Sequence, residues 1–100
     1  MTVLNIKGLE KIFEKNLSDE YLEKGISKII SYEIAKTTKE LEELKEELKV
    51  YEERFKMSSE DFFSKFSNGE LGDNADLFEW SALSQMYLRV SERLSILKSE

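Results

Sequence analysis

Proline is absent from all 100 residues, and between Ser18 and Lys56 only Gly25 departs from side chains that a helix accepts readily. A glycine inside a helix costs about 1 kcal/mol relative to alanine, which loosens a turn without ending the helix. From Ile30 the apolar or small positions step by four and three through Ile34, Thr37, Leu41, Leu44, Leu48, Tyr51 and Phe55. That is a heptad seam with one weak layer at Thr37. The spacing predicts one helix over residues 18–56, about 58 Å long at 1.5 Å per residue. Ser18 is its expected cap, with Asp19 and Glu20 complementing the positive end of the helix dipole.

After that helix the chain carries closely spaced start and stop signals. Ser58 followed by Asp61 resembles a capping box with Asp in place of Glu, and Asn68-Gly69 supplies a left-handed stop, so a short helix is predicted over 59–67. Its Phe62, Phe63 and Phe66 share a face. Gly69 to Gly72 form a tight connection, Asp73 or Asn74 caps the next element, and a third helix is expected over 75–97. Its seam is Trp80, Leu83, Tyr87, Val90, Leu94 and Leu97, with a flanking row at Phe78, Ala82 and Met86. The result is an all-α fold: an antiparallel helical hairpin of a long and a shorter helix with coiled-coil-like packing, elongated, in a single helical domain of residues 1–100.

The third helix spans about 34 Å and therefore covers the long helix only from Phe55 back to about residue 33. Leu22, Ile26, Ile29 and Ile30 are left over. Each large side chain kept in water forgoes about 1.5 to 3 kcal/mol of burial. These four are the candidate oligomer interface, and a homodimer closed by isologous antiparallel pairing is the expectation. Residues 1–17 are the other cover for that stripe. Leu9, Ile12, Phe13 and Leu17 have amphipathic-helix spacing, and a short helix with a mobile start is expected there.

Charge is unevenly divided. Residues 1–17, 18–56, 57–80 and 81–100 carry net +1, −3, −5 and +1 of a total of −6. In residues 57–80 the acids Glu60, Asp61, Glu70, Asp73, Asp76 and Glu79 face one base, Lys65, and are interleaved with Phe62, Phe63, Phe66, Phe78 and Trp80. An acidic surface over an aromatic cluster reads as a protein-binding surface, and its candidate contacts are Glu60, Glu70, Asp73, Asp76, Glu79 and Trp80. Trp80 has two readings, core of the hairpin, which its helical spacing favours, or an interface anchor.

Other chemistries find little footing. The chain has no cysteine and no histidine, which removes disulfides, thiolate nucleophiles, imidazole bases and the usual zinc ligands. Counted from Asp73, the acids lack the alternation and the sixth-position glycine of a calcium loop, and capping explains them as well. No metal, cofactor or catalytic site is expected. Net negative charge without a basic patch argues against nucleic acid. The start MTVLNIKGLEK has neither a basic n-region nor a long apolar core, and no run approaches membrane-spanning length, so a soluble cytoplasmic protein is expected.

The segment from Ser31 to Leu94, and within it YEERFKMSSEDFFSKF, GELGD and DLFEWSAL, resembles a family of small acidic all-helical prokaryotic proteins. These are the antitoxin halves of toxin–antitoxin pairs, such as the partners of TumE-type toxins. The resemblance implies a protein that binds and neutralises a basic toxin, for example a nuclease, without being an enzyme. The alternative that the residues leave open is a homodimeric coiled-coil adaptor with no toxin partner.

Overall fold

The computed structural model describes residues 5–99, and within them the chain forms four helices: α1 (Ile6–Glu14), α2 (Glu20–Phe55), α3 (Ser59–Ser67) and α4 (Ala75–Lys98). Among the described residues there is no strand. The chain divides into two compact units, Met1–Tyr32 and Glu33–Glu100, with the boundary inside α2. The mobile start expected before α1 lies outside the described residues.

Each helix has a local reason for its ends. α2 begins two residues later than expected because Asp19, not Ser18, is the cap: its Oδ1 accepts from the Leu22 amide at 2.8 Å. A carboxylate is the stronger acceptor for the free amides of a first turn. The Ser18 hydroxyl instead donates to the Asp19 carbonyl at 3.4 Å. At its other end Lys56 takes a left-handed φ of 53°, and the Met57 amide reaches back to the Glu52 carbonyl at 3.2 Å. That is a Schellman closure. α3 closes in the same way through Gly69, φ 75°, with the Glu70 amide on the Lys65 carbonyl at 3.0 Å. α4 starts at Asn74, whose Oδ1 accepts from the amides of Asp76 and Leu77.

The second unit is an antiparallel hairpin of α2 and α4 with α3 packed across its closed end. Arg54 donates to Asp76 at 2.8 Å near the turn and Arg93 donates to Glu33 at 2.7 Å at the open end. α4 continues past that pair from Leu94 to Lys98. Leu48, Phe62, Leu77 and Trp80 form the core, ringed by half-buried Tyr51, Phe55, Phe63, Phe66, Leu83 and Tyr87. Of the predicted α2 seam, Ile34 to Phe55 face inward, and the weak layer at Thr37 is fully buried.

One expected row is on the wrong side. Phe78, Ala82 and Met86 are exposed, whereas Ser81 and Ser84 are buried. Hydropathy favours the larger side chains, but a position between packed helices selects for size, and two small hydroxyls fit where a phenyl ring would hold the elements apart. Ser81 recovers part of its desolvation by accepting from Gln85 at 3.3 Å.

The hydroxyl of Thr37 is buried without a hydrogen-bond partner. Thr37→Val keeps the branched shape and removes that polar atom. It is expected to raise stability by about 1 kcal/mol, measured in urea melts; a loss of similar size would mean that the hydroxyl is satisfied in solution.

Candidate protein-binding surface

The acidic segment is built on α3, the connector and the first turns of α4. Its centre is an aromatic stack around Trp80. The Phe62 ring lies on the indole with centroids 3.8 Å apart and planes 5° apart, and Tyr51 and Phe55 stack at 5.8 and 5.5 Å. Phe66 continues the stack onto Phe62 at 5.3 Å and meets the edge of Phe78 at 5.4 Å. Trp80 has no exposed surface, and its Nε1 donates to Ser59 Oγ at 2.9 Å. Of its two readings the structure takes the core one. Trp80 is not an anchor available to a partner on the surface.

The Ser58 hydroxyl accepts from the Asp61 amide at 3.1 Å, which is half of a capping box. The amide of Ser59 is satisfied from another helix: Glu52 on α2 accepts from it at 2.9 Å. α3 is thereby fixed at its first turn by a cap, by a cross-helix carboxylate and by the indole bond to Ser59. The surface above it is therefore rigidly placed.

The five acids proposed as contacts have different surroundings. Glu70, Asp73 and Glu79 are exposed. Asp76 is half-buried and spends its charge on Arg54. Glu60 is exposed but lines a cleft of about 630 Å³ with Lys45 and Lys49 on α2, over a floor of Phe63, Tyr87 and Leu88. The Tyr51 phenol is raised above the ordinary tyrosine value, first by burial and then by the neighbouring carboxylates of Glu79 and Asp76, against a smaller opposing effect of Arg54.

By sequence Phe78 falls in the aromatic cluster and in the flanking row of α4 but not among the candidate contacts. It is 56 % exposed and stands one turn into α4, between Asp76 and Glu79 in sequence, with its inner edge held by Phe66. The signal was available only as a choice between two flanks of the α4 seam. Among the described residues, no group of three or more acids is gathered closely enough to hold a metal ion, and no helix is long and apolar enough to cross a membrane.

The candidate oligomer interface lies in the first unit. Leu22 and Ile26 are half-buried, while Ile29 and Ile30 are 65 % and 39 % exposed. α1 is held at its start by Asn5, whose Oδ1 accepts from the Gly8 amide at 2.8 Å. Phe13 of α1 shares one depression with Glu23, Ile26, Ser27 and Ile30. Among the described residues of this unit, no side chain is fully buried. No family model matches the chain, and neither does any curated protein or solved structure.

Proposed function

We propose that this chain is a protein-binding helical module of the antitoxin kind, whose second unit docks on a basic partner protein such as a nuclease toxin. The observation that carries this reading is the partition of charge. Residues 33–100 hold 16 acids and 10 bases, the whole net charge of −6, while residues 1–32 hold five of each. Glu70, Asp73 and Glu79 are exposed, with no salt bridge among the described residues. The half-exposed ring of Phe78, next to Glu79 in sequence, supplies an apolar anchor. Charge of this kind steers a basic partner into place and acts chiefly on association rate, while a buried aromatic sets residence time.

The test is the double reversal Glu70→Lys with Glu79→Lys, measured against a small basic protein encoded by the adjoining reading frame. Neither residue caps a helix, so helical content is expected to stay unchanged. Association at low salt is expected to slow by about tenfold and to lose much of its salt dependence. Unchanged association kinetics would remove the acidic segment from the recognition surface.

A second reading, a self-associating structural module in the cytoplasm, is favoured by one observation, the exposed apolar stripe on a first unit that has no buried core among its described residues. The two readings use different units of the chain. They are compatible in one molecule.

A further inference from the structure

Gly25 is the position in the first unit for which the chain itself offers no use. It lies inside α2 with an ordinary helical backbone, and a Cβ built on it would meet nothing within 4 Å among the described residues. Neither a turn nor a close intrachain contact requires glycine there, and glycine weakens a helix. It leaves the helix surface bare at that point, within a shallow depression that runs along Tyr21 to Ile29 and takes in Glu23 and Ser27 as well as Leu22, Ile26 and Ile29. Phe13 of α1 lies at an adjoining depression with Glu23, Ile26, Ser27 and Ile30; at 3.6 residues per turn Glu23, Ser27 and Ile30 project on roughly the opposite side of α2 from Gly25, with Ile26 between.

Leu22, Gly25, Ile29 and Tyr32 step by three, four and three, so they form one stripe along α2. Ile29 and Tyr32 are about two-thirds exposed. The order of side chains along that stripe is self-complementary. Turned antiparallel about a two-fold axis level with Ser27, it sets Gly25 opposite the partner subunit's Ile29 and Leu22 opposite the partner subunit's Tyr32. Both notches are filled and both isoleucines buried by the same operation. Any closed pair of identical chains must have such an isologous contact.

We propose that α2 pairs with a second copy of this chain, antiparallel, through Leu22, Gly25, Ile29 and Tyr32, with each Ile29 seated in the other copy's Gly25 notch. This rests on the self-association reading above and specifies its face and register. Charge selects the occupant. Residues 1–32 carry five acids and five bases, so two copies meet here without net repulsion, whereas a strongly basic or acidic partner gains no attraction from this unit. The second unit, which bears the net −6, is where a basic protein is drawn.

Because the chain contains no cysteine, single replacements report the register directly. Gly25→Cys and Ile29→Cys, prepared as separate full-length variants, are mixed, allowed to exchange and mildly oxidised. The mixture is expected to give the Gly25→Cys/Ile29→Cys disulfide-linked pair, and each variant alone little linked product, because a bridge needs Cα atoms about 4.4 to 6.8 Å apart. In parallel, Gly25→Gln places a helix-favouring side chain on that face, where its Cβ meets no described atom of its own chain within 4 Å. Sedimentation equilibrium is expected to show the dimer weakened by about tenfold or more, with helical content unchanged or increased. Self-linking of Gly25→Cys, or a dimer indifferent to Gly25→Gln, overturns the proposed face and register while leaving self-association standing. A wild-type chain that stays monomeric at micromolar concentration overturns both.

Discussion

Trp80→Ala is expected to lower the stability of the hairpin by about 3 to 5 kcal/mol, the range for truncating a buried large aromatic. The ring has no exposed surface, and it touches every element of the second unit: Tyr51 and Phe55 on α2, Phe62 on α3, and its own helix α4. Removing it leaves a cavity walled by three aromatic rings that are themselves pinned by other contacts, so collapse recovers little. It also strips Ser59 of its indole donor at the first turn of α3, which adds the lesser cost of one lost hydrogen bond. Native domains of this size have total stabilities of about 5 to 15 kcal/mol, so the variant should be partly unfolded at the warmer end of the physiological range. Urea unfolding followed by circular dichroism measures the loss. A value under 1 kcal/mol would mean that the indole is solvated in solution and that the core is organised around Phe62 and Leu48 instead.

The helices themselves were legible because each boundary rests on local chemistry. Ser58, Asn68-Gly69 and Asn74 act within a turn of where they stand, so α3 appears where its caps place it. The Ser18 cap failed for the same reason in reverse: two adjacent acceptors compete for one set of amides, and the stronger one, Asp19, wins at a distance of one residue. The α2 seam was legible because a long helix with one buried side repeats its signal many times. The α4 flank was not, because Phe78, Ala82 and Met86 look more apolar than Ser81 and Ser84, and which flank α2 and α3 cover is decided by packing shape between distant segments.

The candidate site divides along the same line. The excess of acid in residues 57–80 is a property of sequence and was visible. Which acids remain exposed was not, since Arg54 reaches Asp76 across 22 positions and Glu52 serves Ser59 across seven. Trp80 was given two readings because seam position alone cannot say whether a third element lies over the ring. In the structure α3 does. Gly25 was visible as a weak point of α2, and the open space that a Cβ would meet there among the described residues, a three-dimensional fact, turns that weakness into a candidate contact.

Phe62→Ala probes whether α3 is an independent part of the acidic surface or only an extension of the hairpin core. A nine-residue helix is too short to persist in water by itself, since nucleation is costly and isolated helices under about 12 to 15 residues are marginal. Its order therefore depends on what it buries, and Phe62 is its one fully buried side chain. The truncation is expected to cost about 3 to 5 kcal/mol, and part of that loss should appear as local opening of α3 at a lower free energy than global unfolding. Amide exchange would then be fast in residues 59–67 while the backbone between Leu44 and Phe55 stays protected. Trp80, the only tryptophan in the chain, should shift its emission to the red as the covering ring is removed. Because the two rings stack face to face, the double replacement with Trp80→Ala should cost less than the sum of the single losses by about 0.5 to 1.5 kcal/mol. Strict additivity would mean that the stack contributes area alone. Equal exchange rates in α3 and α2 would mean that the short helix unfolds only with the whole unit, so that the acidic surface is held in place by the full stability of the hairpin.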